Sequence, residues 1–286
     1  MNINLTVIDP PGYIHTQAFT EIIELYRLCL EDQGHRVACY QNRLKPDGLN
    51  LIFAYHHLPP GTGDQLAQKI DYIVVQLEQL NFEAGWFRHK QDFFLAQLPL
   101  LQNARQVWDY SLENVTFLKQ YGIQARLMPI GTHPGIRRFE LAAKPDIDVL
   151  FYGSGNPRRA RILDELSRHC QLRALHGEFG EQRDQLIARS KIVLNIHAFD
   201  EIALLEQVRL FYLLSHGCFV LSEAVNWNPY HGGIVTYPTQ ELVTGVLDWL
   251  AKPAPERNAI ATLGQLRLQQ LDQPGQLRRA LEEVNS

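Results

Sequence analysis

Apolar residues along the chain come in short blocks whose spacing switches between two periods. Residues 3–8 form a compact apolar run that predicts a strand, and the breaker cluster Asp9-Pro10-Pro11-Gly12 turns the chain after it. Phe19, Ile22, Ile23, Tyr26 and Leu30 then recur at helical spacing, and Gly34 ends that helix. Residues 36–40, 49–55, 72–77, 106–109 and 124–130 read as further strands, each separated from the next by helical or loop sequence. This alternation is the signature of βαβ units and a parallel sheet.

Around residues 131–146 the pattern breaks. Gly131, Pro134, Gly135 and Pro145 interrupt a basic stretch that holds Arg137, Arg138 and Lys144. A second alternation follows, with strands predicted over 148–152, 172–175, 191–196 and 218–222 and a helix over 203–215. The tail reads as helix over 241–250, 256–271 and near 276–284. The expected architecture is α/β: two Rossmann-like domains, residues 1–135 and 147–286, joined by a linker at 136–146 and facing across a cleft. Ligands of open parallel sheets sit beyond the carboxyl ends of the strands, so the loops there are where chemistry is expected.

Composition narrows the partners. With 45% hydrophobic and 20% charged residues, the 286-residue chain has the make-up of a globular protein with a real core. Lys and Arg number 27 against 31 Asp and Glu, a net charge of -4, which provides no global field for nucleic acid or an anionic membrane. No run approaches the roughly 18 apolar residues of a membrane span. The start Met1-Asn2-Ile3-Asn4-Leu5 carries no basic leader, so a cytoplasmic location is expected. Cys29, Cys39, Cys170 and Cys218 are far apart and read as reduced thiols in or near the core. No His or Cys spacing suits a metal, and Asp146-Ile147-Asp148 precedes its strand, the wrong end for a ligand site. No metal and no cofactor are expected.

The richest loop is Gly153-Ser154-Gly155-Asn156-Pro157-Arg158-Arg159-Ala160-Arg161. An apolar strand ends in Gly-x-Gly, Pro157 sits where a first helical turn would start, and arginines follow. Glycines let backbone approach an anion, the helix start offers free N–H groups, and guanidinium binds phosphate oxygens in pairs. The plain alternative is a surface loop followed by a basic helix face. NAD(P) fits poorly, because the third glycine of its fingerprint is absent. A second segment ends a strand in Asn195 and His197, then places Glu206 and Arg209 near a helix start, where a simple i,i+3 surface pair is the alternative. In the first half, His15 lies between the first strand and helix as a candidate general base, and Glu78 ends another strand as a candidate acid–base group.

Taken together, the chain resembles the GT-B glycosyltransferases of the group-1, spore-protein-like type. The resemblance is carried by Gly12-Tyr13-Ile14-His15-x-x-Ala18-Phe19 and Gly34-His35-x-Val37 in the first half. In the second half it is carried by the run from Ser190 to His197, Glu206-x-x-Arg209, the run from Gly217 to Glu223, and Arg257-Asn258-x-Ile260-Ala261. The resemblance implies metal-independent transfer of a sugar from a nucleotide-diphosphate donor to a hydroxyl-bearing acceptor. It implies a donor diphosphate on Gly153, Ser154, Arg158 and Arg209, and, for an inverting enzyme, His15 as base. Gly155, Arg159, Asn195, His197 and Glu206 complete the expected donor site. Related enzymes hold the ribose with an acidic residue where this chain has Tyr212, a departure for which Glu206 is a possible substitute. Two other readings stay open: an inactive GT-B-like module that binds a nucleotide-sugar or glycan, and a nucleotide-sugar epimerase on the same fold.

Overall fold

The computed structural model describes residues 1–201 and 203–285 and divides into two compact units. The first comprises residues 1–133 together with the chain from Asp272 onward, and the second residues 134–271. In the first unit, strands β1 (Asn2–Val7), β2 (Arg36–Gln41), β3 (Leu49–Phe53), β4 (Asp71–Gln76), β5 (Val107–Asp109) and β6 (Arg126–Leu127) form one sheet in the order β2-β1-β3-β4-β5-β6. Every recorded pairing in it is parallel. Helices α1 (Thr20–Asp32), α2 (Gly63–Ala67), α3 (Gln91–Gln102) and α4 (Leu112–Lys119) connect the strands.

The second unit repeats the plan. Strands β7 (Ile147–Tyr152), β8 (Leu172–Leu175), β9 (Ser190–Asn195), β10 (Val220–Glu223) and β11 (Val235–Tyr237) lie in the order β11-β10-β9-β7-β8, again parallel. Helices α5 (Pro157–Ser167), α6 (Glu181–Ala188), α7 (Gln207–Ser215), α8 (Leu242–Ala251) and α9 (Ala254–Gln270) surround it. A final helix, α10 (Gln273–Asn285), ends the described chain. In each sheet the first strand lies between the second and the third, so the strand order reverses between β1 and β3 and between β7 and β9. Ligands of doubly wound sheets gather at such switch points.

Burial explains the strand assignments. All five residues of β3 and the last five of β4 are buried, as expected of central strands covered on both faces. Edge strand β2 alternates toward solvent, which leaves Cys39 exposed instead of in the core, where its apolar neighbours had suggested it would be. Cys29 and Cys218 are buried as expected. Strand β11 escaped the sequence reading because only three residues form it. The helix expected over 203–215 begins later, at Gln207, after Leu204 and Leu205 bury in the preceding loop.

The last helix departs from the expected division of the chain. α10 belongs to the first unit, although the tail as a whole had been placed in the second domain. Leu277, Ala280 and Leu281 bury one face of α10, and α1 packs beside it. Gln33 donates to the Pro274 carbonyl at 3.0 Å, Gln276 to the Pro129 carbonyl at 2.9 Å, and the Gly131 N–H to Gln273 Oε1 at 2.8 Å. A local helical pattern cannot announce such a return; it depends on a receiving surface on the first unit. No described helix is long and apolar enough to cross a membrane.

One close approach has no room for a side chain. A Cβ on Gly233 would lie 2.4 Å from the Gly264 Cα of α9, and one on Gly264 would lie 2.7 Å from the Gly233 carbonyl oxygen. Gly233→Ala is therefore expected to lower stability by about 1–3 kcal/mol, the usual cost of overpacking. The urea midpoint of the variant against the parent measures it.

Candidate functional site

The Gly153 turn closes β7 at the switch point. Gly153 has φ +148°, and a Cβ there would lie 2.8 Å from Arg209 Nη2 and 3.6 Å from Arg159 Nη1. Two guanidinium groups therefore pack directly onto backbone. Asn156 caps α5, its side chain accepting the Arg159 N–H at 2.8 Å, and Pro157 opens the helix as its missing N–H and fixed φ favour. Ser154 and Gly155 are exposed in the turn, and His176 Nδ1 lies 2.9 Å from the Gly153 carbonyl oxygen.

Arg159 is 2% exposed. Its Nε and Nη2 donate to the Ile196 carbonyl at 3.1 and 2.7 Å, and its Nη1 to the Ser154 carbonyl and hydroxyl at 2.8 and 2.9 Å. Burial pushes its pKa down to about 10, with the Glu206 charge opposing that shift and the Arg209 and Arg158 charges reinforcing it. Arg209, on the first turn of α7, donates to Asn195 Oδ1 at 2.9 Å and lies over the Tyr152 ring at 5.1 Å. Asn195 in turn donates to the Ser222 hydroxyl at 2.9 Å. Neither Arg159 nor Arg209 has a carboxylate partner among the described residues. The result is concentrated positive potential at the mouth of a glycine turn.

Arg158 does something different from what its sequence position suggested. Its Nη1 and Nη2 meet Glu223 at 2.9 and 2.5 Å, Nη1 also donates to the His197 carbonyl at 3.0 Å, and Nη2 to the Thr239 hydroxyl at 3.2 Å. Nε pairs with Asp200. In this structure Arg158, expected as a phosphate ligand, has its donor set engaged with the protein and acts as an internal clamp. Its partner Glu223 is 1% exposed and also accepts the His197 N–H at 2.5 Å and the Thr239 hydroxyl at 2.6 Å. Burial opposes ionisation of Glu223, but the bonds from Arg158 and Thr239 outweigh it and hold its pKa below the usual carboxylate value. The sequence reading missed Glu223, Asp200 and Thr239 as site residues; a carboxylate ending an apolar strand beside the Gly153 turn was the available signal.

His197 is buried, and its Nε2 has no hydrogen-bond partner among the described residues. Burial lowers its pKa against the opposing pull of Glu223. Glu206 is half-buried at the N-cap position of α7, where its carbonyl accepts the Arg209 and Leu210 N–H groups at 2.9 and 3.1 Å. Tyr212 is buried, and its hydroxyl donates to Asp184 Oδ2 at 2.7 Å. Asp184 also accepts from Arg183, whose guanidinium lies 4.9 Å from the Tyr212 ring centre and 5.7 Å from that of Tyr152.

In the first unit, His15 is exposed in a short 3-10 turn (Ile14–Phe19), beyond the carboxyl end of β1. Its ring meets Tyr13 edge-on at 5.3 Å, and Tyr13 meets His57 at 4.8 Å and Trp86 at 6.1 Å. His56, 3% exposed, packs against His57 and Trp86, and its Nε2 lies 3.9 Å from Glu78 Oε1. His15 and Glu78 thus border one aromatic and imidazole cluster at the switch point of the first sheet. Burial and the Glu78 charge raise the Tyr13 pKa. His56 and His57, unremarkable as a sequence pair, are brought to the cluster by Ala54, whose left-handed φ of 55° turns the chain after β3.

No family model matches the chain. Among curated proteins it is 32% identical over 178 residues to uncharacterized protein R358 of Acanthamoeba polyphaga mimivirus, covering 61% of this chain and 59% of that protein. It is 25% identical to uncharacterized protein L140 of the same virus, covering 79% of this chain and 72% of that one. The chain thus spans less than two thirds of the first of these relatives, at 59% of its length. Among solved structures it is similar to Anabaena Alr3699/HepE in complex with UDP, at TM-score 0.61 and 15% identity over 99% of this chain and 100% of that one. It is similar also to AviGT4, a glycosyltransferase involved in avilamycin A biosynthesis, at TM-score 0.55 and 15% identity over 100% and 97% of the two chains. A DNA-modifying β-glucosyltransferase matches at TM-score 0.52 and 11% identity, over 100% of both chains. The fold is GT-B.

Arg158→Ala is expected to destabilise the protein by about 3–5 kcal/mol, because it strands a buried carboxylate. Arg209→Gln should cost less, about 1–2 kcal/mol, for the lost donor to the buried Asn195 side chain. Denaturant titrations of the two variants separate clamp from ligand residue.

His56, His197 and His216 are all held neutral by burial, with pKa values below 6.5. The unfolded chain therefore binds protons before the folded one does, and stability present above about pH 6.5 falls as the pH drops below it. Urea midpoints measured from pH 8 down to pH 5, as order-of-magnitude limits around the histidine range, should decrease steadily through this window.

Proposed function

We propose that the chain is a glycosyltransferase that moves a sugar from a uridine diphosphate donor to a hydroxyl-bearing acceptor. The observation that carries this reading is the pair Arg159 and Arg209, packed on the Gly153 turn with no carboxylate hydrogen-bonded to either among the described residues. Departure of the nucleotide develops negative charge on the diphosphate, and fixed donors aimed at that charge lower the barrier without moving a proton. The starts of α5 and α7 add their dipoles at the same sheet edge. A UDP complex of one GT-B neighbour supports the choice of base. His15 acts as the base that takes the acceptor hydroxyl proton, which makes the reaction inverting, and Glu78 borders the acceptor side.

The second reading, a binding module without turnover, is favoured by Tyr212: the position that holds ribose in related enzymes is here spent on Asp184. Glu206 is the substitute donor-side carboxylate in the catalytic reading.

A thermal-shift series separates the two. UDP and UDP-sugars should raise the melting temperature in proportion to the logarithm of concentration, and ADP and CMP should not. Arg209→Gln should abolish the shift. Slow hydrolysis of the donor without acceptor marks the enzyme, and binding without any turnover marks the module. His15→Ala should cut turnover by about 100-fold or more while donor affinity stays unchanged. Parent-like turnover in that variant would remove His15 from the mechanism.

A further inference from the structure

Three loops of the first sheet meet beyond its carboxyl edge. Tyr13 follows β1, Tyr55 and His57 follow β3, and Glu78 and Trp86 follow β4. β3 lies between β1 and β4, so the loops are neighbours by topology. Tyr13 meets His57 and Trp86 edge-on, and the His57 and Trp86 ring centres are 4.8 Å apart. Packing of this kind accounts for the rings. It leaves their polar atoms unexplained.

The Tyr55 hydroxyl, His57 Nε2 and Trp86 Nε1 are buried and have no hydrogen-bond partner among the described residues. Tyr55 is 0% exposed. Buried polar groups are nearly always paired, because burial strips away water's hydrogen bonds and an orphan gets nothing in return. Orphans gathered in one cluster mark a place that the chain does not complete by itself. The cluster nevertheless reaches the surface: Tyr13, His57 and Trp86 are half-buried, and Ile14 and His15 are exposed.

The frame around these atoms is fixed. The Glu78 N–H donates to Gln76 Oε1 at 3.1 Å, and the Glu78 carbonyl accepts from Gln76 Nε2 at 3.0 Å and from Asn114 Nδ2 at 2.8 Å. Gln76 and Asn114 are both buried. The Lys90 ammonium lies 3.6 Å from the Trp86 ring centre, a cation–π contact that holds the indole. A site ordered in advance does not have to be ordered by its ligand, which favours binding.

The orphaned atoms also select the chemistry that would complete them. An indole N–H only donates, a carboxylate such as Glu78 only accepts, and a neutral imidazole does one at each nitrogen. Burial and the Lys90 charge hold the His57 pKa below its ordinary value, against the pull of Asp9, so the ring is neutral at neutral pH. A hydroxyl both donates and accepts, and so meets all three. An anion would face Glu78, and a hydrocarbon with one hydroxyl would leave most of these atoms unpaired. Tyr13 and Trp86 offer apolar ring surface to the C–H groups of a cyclic polyol.

We propose that this cluster binds a carbohydrate ring, with His57 Nε2 and the Trp86 indole N–H reading its hydroxyls. Under the transferase reading, on which this part of the assignment rests, the sugar is the acceptor, and His57 and Trp86 set acceptor specificity.

The test is binding to the intact protein, independent of turnover. Methyl glycosides of glucose, galactose, mannose and N-acetylglucosamine are titrated with and without UDP. Binding is followed through the indole N–H resonance of Trp86, assigned by its loss in Trp86→Phe. Saturable binding of at least one glycoside at millimolar concentration is expected, with movement of that resonance. Trp86→Phe and His57→Phe keep the rings and remove their nitrogens. Each should weaken glycoside binding about three- to tenfold, the worth of one hydrogen bond, and leave UDP affinity unchanged. The parent resonance carries the test even if a variant fails to fold. A Trp86 resonance unmoved across the panel overturns the proposal. So does cyclohexanol binding as tightly as any glycoside, or glycoside binding that both variants leave at parent strength. UDP binding in the same samples reports separately on the transferase reading. Glycoside binding through Trp86 without UDP binding keeps the carbohydrate site and overturns the transferase; UDP binding without glycoside binding does the reverse.

Discussion

The second unit is organised around one buried ion pair. Glu223, at the end of β10, gathers Arg158 from α5, the Thr239 hydroxyl and the N–H of His197 after β9 onto a single carboxylate. Two charges taken out of water are tolerated only when their lone pairs and protons are all used, and here they are. The clamp ties together the carboxyl ends of the strands that flank the switch point. Because Arg158 occupies Glu223, the neighbouring Arg159 is left to the Ile196 and Ser154 oxygens and makes no carboxylate hydrogen bond among the described residues.

The two units share a strand order and use it differently. At the switch point of the second sheet, guanidinium groups and a glycine turn converge; at that of the first, Tyr13, His56, His57 and Trp86 form an aromatic cluster bordered by His15 and Glu78. One edge is cationic and the other aromatic with imidazole and a carboxylate. Topology placed both sets of loops, and the loop residues decided the chemistry. Beside the second site, the Tyr212 hydroxyl is committed to Asp184, with the Arg183 guanidinium over its ring.

Most of the strands were legible because parallel strands buried on both faces are nearly continuous apolar runs, as in β3 and β4. The glycine turn after β7, the helix starts and the polar strand ends were legible for the same local reason: turn chemistry and capping act over a few residues. Thus the α/β class, the repeated alternation and the loops at which to look were all determined by the sequence itself. Tertiary structure alone decided which arginine pairs with a carboxylate. Arg158 and Arg159 are adjacent and chemically identical, yet one meets a carboxylate 65 residues away and the other does not. Tertiary structure also returned α10 to the first unit and joined His56 to Glu78. Local pattern reports what a segment can form; only contacts between distant segments settle which charges are neutralised, because electrostatic partnership depends on distance in space and not along the chain.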